Sequence, residues 1–305
     1  MAQKQNGLKP KTTYTIALTD AQLQALETWC DHRAWEFYSV PYARFAFRGD
    51  GVNVVGYKSG KLVVQGAKTE SFVNYVLETE ITQTPQLGLE RVHHPEWFVA
   101  HAGLDESGKG DLFGPLVTAC VIADESMVDF WIKAGLKESK KVGSDANVFK
   151  MEQLVRQAKG VVIESSFTSM EKYNELYQRF GNLNEFLAWL HAKSLEGALK
   201  QRWVNEGLLD QFSKRPLVQK YFKNTQFILH QKVRAEEDPV VAAASIIARA
   251  NYLRQLKKLS EQAGMPLMKG ASRQVQETAR KLVQKLGQNC LGSFVKLHFK
   301  TVESL

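Results

Sequence analysis

The hydrophobic pattern of this 305-residue chain changes near residue 90, and this change constrains the fold more than any other feature. Before it, short alternating apolar runs are separated by glycine-containing turns, as in antiparallel hairpins. After it, apolar runs typical of buried strands precede long helical patterns, which favours an α/β arrangement. Pro85, Gly88 and Pro95 punctuate the stretch between the two patterns. We therefore predict a linker over 82–95 and two domains, 1–90 and 91–305.

The first domain is predicted to be an α+β unit of order β-α-β-β-β-α, with helices on one face of an antiparallel sheet. Thr19 or Asp20 is expected to cap a first helix that runs to about Glu36. A second helix is expected over 69–81. The predicted strands cover 13–18, 42–48, 52–57 and 62–65.

The second domain is predicted to be largely α/β, because strand-like runs are followed by three long helical patterns. Its predicted strands cover 98–104, 116–123 and 161–167, and its predicted helices cover 184–205, 239–262 and 272–286.

The charge of the chain is uneven. Forty Lys and Arg against 32 Asp and Glu give a net charge of +8, and residues 1–90 contribute none of it. This balance favours a polyanionic partner. No apolar run approaches the ~18 residues of a membrane span, and no secretory signal is visible. The three cysteines are not closely spaced, which argues against a disulfide framework. We therefore expect a cytoplasmic monomer with no membrane contact and no obligate protein partner.

The densest group of reactive residues lies in 103–111. A predicted strand ends at Asp105 and Glu106, and glycines with Lys109 follow. Adjacent carboxylates offer hard oxygen ligands to Mg²⁺ or Mn²⁺, while glycine N–H groups suit an anion. The alternative for these two acids is a solvated turn after a strand.

Further acids occur at two other places. Asp210 ends an apolar run, and Glu236, Glu237 and Asp238 precede an alanine-rich helix. Because Asp238 is followed by Pro239, we assign Asp238 to capping that helix, which leaves Glu236 or Glu237 free to point elsewhere. Carboxylates that converge from separate segments would fit two-metal phosphoryl displacement.

The ordered motifs of 98–300 resemble those of type 2 ribonucleases H, in the form found in bacterial ribonuclease HIII. Ribonuclease HII usually has arginine where Lys109 stands, and it lacks the N-terminal domain that residues 1–90 resemble. That domain is described as similar to the TATA-box-binding protein fold. The motifs that carry the resemblance lie at 103–111, 113–115, 137–141, 181–191, 210–212, 241–249, 266–272 and 296–299.

The resemblance implies a ribonuclease H-like fold, with a mixed central sheet flanked by helices. It also implies endonucleolytic hydrolysis of the RNA strand of RNA–DNA hybrids with Mg²⁺ or Mn²⁺, leaving 5′-phosphate and 3′-hydroxyl ends. Two alternatives stay open. One is excision of single ribonucleotides embedded in DNA, as in ribonuclease HII, and the other is a catalytically silent nucleic-acid-binding protein.

Four acids are implied as catalytic and metal-binding residues. Asp105, Glu106 and Asp210 match the family directly. We choose Glu236 as the fourth because it follows a basic residue and an alanine, as the family motif does. The stretch from Glu236 to the alanine run is one residue shorter than in the family, so Glu237 and Asp238 stay open as alternatives.

The resemblance also implies substrate contacts. Lys109 and the N–H groups of Gly108 to Gly110 are expected to grip the backbone and test for 2′-hydroxyls. Lys140 and Lys141 are candidates for phosphate contacts. In residues 1–90, substrate binding and simple core packing are both open for the strand residues Tyr42, Arg44, Phe45, Phe47, Arg48 and Tyr57.

Overall fold

A computed structural model describes residues 12–83, 90–136 and 144–304. The chain separates into two compact units, Met1–Glu96 and Trp97–Leu305. No helix within these described ranges is both long and apolar enough to cross a bilayer.

The first unit is built on an antiparallel sheet of five strands. Its elements are β1 (Thr13–Ala17), α1 (Asp20–His32), β2 (Glu36–Phe37), β3 (Ala43–Gly49), β4 (Val52–Tyr57), β5 (Lys61–Gly66), α2 (Thr69–Phe72) and α3 (Glu90–His93). The strands lie in the order β1-β5-β4-β3-β2. Helix α2 continues directly into a π-helix over Val73–Ile81.

The core of this unit lies on one face of the sheet. Leu23 and Leu26 of α1 pack in one cluster with Phe45 and Phe47 of β3. Strands β1 and β5 alternate in burial between this face and the opposite one, whereas the central residues of β3 and β4 are buried in succession. The opposite face carries the exposed side chains of Thr13, Thr15, Lys61 and Gln65.

Two predictions for this unit need correction, and one is confirmed. Helix α1 ends at His32 instead of Glu36, because Ala34 takes a left-handed conformation with φ 52°. The residues that follow form β2, which the hydrophobic pattern did not predict. Thr19 caps α1 as predicted, in a reciprocal capping box with Gln22.

The second unit contains a mixed sheet of five strands, which a 3₁₀ turn, Pro95–Phe98, precedes in the chain. Its elements are β6 (His101–Ser107), β7 (Val117–Ala123), α4 (Glu125–Lys133), α5 (Asp145–Gln157), β8 (Val162–Phe167), α6 (Met170–Phe180), α7 (Leu183–Gln201), β9 (Glu206–Asp210), β10 (Ile228–Lys232), α8 (Pro239–Ala263) and α9 (Arg273–Leu286). The strands lie in the order β10-β9-β6-β7-β8. Strand β6 is antiparallel to β7 and parallel to β9, and β7 is antiparallel to β8.

Helices cover both faces of this sheet, and β7 shows how. Val121 belongs to the cluster formed with α8, whereas Cys120 and Ile122 belong to the cluster formed with α7. Burial on both faces explains why β7 is a continuous apolar run. Gly103 of β6 lies against the backbone of α8 at Val240 and Val241, where a side chain would collide.

The strand predicted over 98–104 lies at His101–Ser107. Asp105 and Glu106 are therefore inside β6, because its pairing with β7 continues to Ser107 opposite Val117. The helix predicted over 184–205 ends at Gln201. Helices α4, α5 and α6 and strand β10 were not predicted.

Candidate active site

Three of the four acids predicted to act together lie on two neighbouring strands, and the fourth, Glu236, lies in the 3₁₀ turn Ala235–Glu237. Leu104 of β6 is in register with Leu209 of the parallel strand β9, so Asp105 and Asp210 follow side by side. Since successive side chains of a strand point to opposite faces, Asp105 and Glu106 diverge. Asp105 hydrogen-bonds Ser245 of α8, whereas Glu106 contacts His191 of α7.

Asp105 is a buried acid with two hydrogen-bond donors. The Glu106 N–H donates to its Oδ1 at 2.7 Å, and the Ser245 hydroxyl donates to its carboxylate. Burial, followed by the charges of Glu106 and Asp210, raises the pKa of Asp105 to about 7, although both donors favour the ionised form.

Glu106 lies between two basic groups. His191 Nε2 is 3.2 Å from its Oε2, and Lys109 Nζ is 3.8 Å from its Oε1. Lys109 Nζ also lies 5.4 Å from the ring centroid of Phe212, two residues beyond Asp210. The carboxylate of Glu106 is thus contacted from the protein interior and from the more exposed side.

Asp210 and Glu236 form the other half of the cluster. The Ala235 N–H donates to Asp210 Oδ1 at 2.9 Å, and the side chains of Asp210 and Glu236 hydrogen-bond each other. Burial raises the pKa of Asp210, and the charges of Glu236 and Glu106 raise it further. The structure therefore brings together all four acids that the sequence singled out.

The two alternatives for the fourth acid lie in different surroundings. Glu237 is exposed. Asp238 is buried and caps α8, accepting a hydrogen bond from the Val240 N–H at 2.7 Å. It also lies 3.1 Å from Nε2 of His101. The predicted capping role of Asp238 is confirmed, and its carboxylate is already engaged by the helix N-terminus and His101.

The carboxylates of this cluster suit a divalent cation, although they do not surround a single position. In the part of the chain that the structure describes, no three His, Cys, Asp or Glu side chains form a ready-made metal site. Burial raises the pKa of Asp105 and of Asp210, and the charges of the neighbouring carboxylates raise both further. Carboxylate oxygens are the ligands that Mg²⁺ and Mn²⁺ favour, and a bound cation would relieve the repulsion between these charges.

The glycine-containing loop after β6 has distinct positions. Gly108 is buried with φ 90°, and a side chain there would collide with the Pro115 carbonyl and Tyr252, so this glycine is required by the turn. Gly110 is exposed, and Lys109 is partly exposed. Lys140 and Lys141 lie outside the described residues.

A buried lysine holds the backbone of this loop through hydrogen bonds to its carbonyl groups. Lys296 donates from Nζ to the carbonyl of Asp111 at 2.7 Å and to that of Gly114. The Tyr252 hydroxyl donates to the Phe113 carbonyl at 3.1 Å. Burial lowers the pKa of Lys296 to about 7.

Sequence reasoning assigned no role to His191, Ser245 or Lys296, although each lies in a motif of the resemblance. The available signal was a polar residue in a buried stretch, such as Ser245 between Ala244 and Ile246. That signal alone does not identify the acid that each residue contacts.

A mixed sheet with acids on its neighbouring central strands, flanked by helices on both faces, defines a ribonuclease H-like protein. A family model described as Ribonuclease HII matches residues 102–302, and one described as Domain of unknown function (DUF3378) matches residues 15–86. The chain is 34% identical to Ribonuclease HIII of Protochlamydia amoebophila over 297 residues, which cover 96% of this chain and 95% of that protein. It is 38% identical to Ribonuclease HIII of Chlamydia caviae over 300 residues, which cover 96% and 97%.

Solved structures agree with these sequence matches. The crystal structure of Bst-RNase HIII in complex with Mn²⁺ has a TM-score of 0.65 and 27% identity, and the match covers 96% of this chain and 97% of that chain. Aquifex aeolicus RNase H3 has a TM-score of 0.56 and 25% identity, with 94% and 100% covered. The chain belongs to the type 2 ribonuclease H family, in its ribonuclease HIII branch.

Proposed function

We propose that the chain cleaves the RNA strand of RNA–DNA hybrids endonucleolytically, leaving 5′-phosphate and 3′-hydroxyl ends. The observation that carries this proposal is the crowding of Asp105, Glu106, Asp210 and Glu236 on a ribonuclease H-like sheet. Similarity to ribonuclease HIII proteins over 96% of the chain supports it.

The four acids are proposed to hold Mg²⁺ or Mn²⁺. Two such ions, held by these acids, would supply activation of a water and neutralisation of the charge on the departing 3′-oxygen. The protein's own contribution is to gather the oxygen ligands and fix their orientation. Ser245 orients Asp105, and the Ala235 N–H orients Asp210. The complex of Bst-RNase HIII with Mn²⁺ supports this use of a divalent cation.

The loop over 108–110 is proposed to contact the substrate backbone. Lys109 is partly exposed and Gly110 is exposed, so the lysine and the Gly110 N–H are proposed to meet a phosphate and a 2′-hydroxyl, the group that distinguishes RNA from DNA. Gly108 would contribute chiefly by setting the turn. Lys140 and Lys141 are proposed as further phosphate contacts.

Residues 1–90 are proposed to be a substrate-binding domain with a fold like that of the TATA-box-binding protein, and 91–305 the catalytic domain. Phe45 and Phe47 are buried, so they belong to the core of the first unit. Tyr42, with 85% of its surface exposed, is accessible to a ligand, whereas the exposed Arg48 already donates to Asn53 Oδ1 at 3.0 Å and lies 3.8 Å from Glu36. We also propose that the protein acts as a monomer in the cytoplasm.

The proposal is tested by Asp105→Asn, which removes one carboxylate charge and keeps the side-chain volume. We expect hybrid binding and folding to persist while cleavage is lost, as measured with a labelled RNA–DNA duplex in Mg²⁺ and in Mn²⁺. Metal-dependent cleavage by this variant at the wild-type rate would refute the assignment. A wild-type protein that binds the hybrid without cleaving it would indicate the silent binder.

A second pair of substrates separates the two ribonuclease activities. One duplex carries a single ribonucleotide in DNA, and the other carries a tract of four ribonucleotides. We expect cleavage of the tract only. Ready cleavage at the single ribonucleotide would instead support the alternative activity, excision of single ribonucleotides from DNA as in ribonuclease HII.

A further inference from the structure

His191 is a fully buried side chain that touches one of the four acids. It lies on α7, which flanks the sheet, and its Nε2 is 3.2 Å from Oε2 of Glu106 on β6. The exposed fractions of the two side chains are 0% and 13%. A histidine from the protein interior therefore contacts the back of a carboxylate that faces the site.

The second ring nitrogen shows which way this hydrogen bond runs. Nδ1 of His191 is buried and has no hydrogen-bond partner among the described residues. A buried N–H without an acceptor is rare and costly, so we assign the proton of the neutral ring to Nε2. His191 then donates to Glu106, and it has no competing acceptor within the described ranges.

The plane of the imidazole is also fixed. Its ring stacks on Phe212, with 5.4 Å between the ring centroids and 12° between the planes. Phe212 follows Asp210 by two residues, so the same stack connects α7 to the segment that carries another acid. Rotation of the His191 ring would break both this stack and the hydrogen bond to Glu106.

The two oxygens of Glu106 are consequently held unequally. Oε2 accepts from the buried His191, whereas Oε1 lies 3.8 Å from Nζ of Lys109, whose side chain is 37% exposed. The inner contact is packed into the protein, and the outer one involves a flexible side chain. His191 is therefore the group that can determine the Glu106 rotamer before any ligand arrives.

We infer that His191 is a positioning residue that holds Glu106 in the rotamer required for binding the divalent cation. This inference rests on the proposed function, in which Glu106 is a metal ligand. Outer-shell groups that orient a metal ligand typically change metal affinity or activity by about 10- to 100-fold when they are removed. The helix α7 thus contributes to the site without providing a ligand.

The test compares three substitutions of His191. His191→Phe keeps a ring against Phe212 and removes the donor. His191→Asn keeps a polar group that is too short to reach Glu106, and His191→Gln places an amide N–H near the position of Nε2. Ser194→Ala is the matched control, because its buried hydroxyl bonds Thr118 at 3.3 Å and the His191 carbonyl at 3.1 Å but contacts no acid.

The primary measurement is the Mn²⁺ dissociation constant of the full chain without substrate, from the electron paramagnetic resonance signal of free Mn²⁺. The Mn²⁺ concentration for half-maximal cleavage and the Tm are measured alongside. We expect His191→Phe and His191→Asn to raise both Mn²⁺ values about 10- to 100-fold, and His191→Gln to restore most of the affinity. Ser194→Ala is expected to lower the Tm only.

The outcomes distinguish failure of this inference from failure of the proposed function on which it rests. If the wild-type chain neither binds Mn²⁺ nor cleaves the hybrid, the proposed function fails and the inference fails with it. If the wild-type chain binds Mn²⁺ and His191→Phe binds it equally well, only the positioning role is overturned. Should His191→Phe not fold, equal Mn²⁺ affinities for His191→Asn and His191→Gln would overturn that role.

Discussion

At Gly103, where β6 contacts α8, the addition of one methyl group by Gly103→Ala tests how the site is assembled. A Cβ added at this residue would lie 2.5 Å from the Val241 amide nitrogen, whereas ordinary contact begins at 3.4 Å. The atoms it meets belong to the backbone at Val240 and Val241, so no side chain can swing aside. In Gly103→Ala the helix must therefore move by about 1 Å.

The expected cost follows from this overlap. Overpacking of a core costs about 1–3 kcal/mol, and we expect the upper end because backbone has to move. The shift would also draw Ser245 away from Asp105. In a unit of this size, each kcal/mol lowers the Tm by roughly 2–4 °C, so Gly103→Ala should melt roughly 6–12 °C below wild type.

The assay is differential scanning calorimetry of wild type, Gly103→Ala and Gly110→Ala. Gly110 is the matched glycine, because an added Cβ there would meet nothing within 4 Å. We expect its Tm to stay near that of wild type. If Gly103→Ala melted within about 2 °C of Gly110→Ala, the close contact of α8 with β6 would be refuted.

Two further predictions concern charge. Glu236→Gln should reduce cleavage of a hybrid at least ~100-fold, whereas Glu237→Gln, at the exposed neighbouring position, should leave it near wild type; the reverse result would reassign the fourth acid. Burial lowers the pKa of Lys296 to about 7 in the folded protein, whereas its ordinary value is 10.5. Between these two pH values only the unfolded chain keeps the proton on Lys296. The free energy of unfolding therefore rises with pH in this range. The slope from this one group is up to ~1.4 kcal/mol per pH unit, and urea unfolding between pH 7 and 10 should show a shallower rise for Lys296→Met; equal slopes would contradict the buried lysine.

The sequence predicted best those elements whose signals are local. The apolar run of β7 and the pair Asp238-Pro239 at the start of α8 can each be recognised from adjacent residues alone, and the structure has both where they were predicted. The structure also brings together the four acids that the sequence singled out, for a related reason. Each lies at or near the end of a strand or just before a helix, and such positions converge at one edge of a sheet.

Features that depend on distant pairing were not predictable. The extension of β6 through Glu106 requires knowing that β7 lies beside it, and the contact of His191 with Glu106 joins residues 85 positions apart. The end of α1 was missed for a different reason. The left-handed residue after it is Ala34, so the glycine that usually announces such a stop is absent.

The run of three acids before α8 has a consequence for how this chain tolerates insertions and deletions. Glu236 faces Asp210, Glu237 faces solvent, and Asp238 is buried as the helix cap. Since the three neighbours have different tasks but similar chemistry, the spacing of this segment matters more than its composition. Loss of one residue here would keep the segment acidic while replacing the proposed metal ligand with the helix cap. An alignment that matched acids by identity alone would pair residues with different roles.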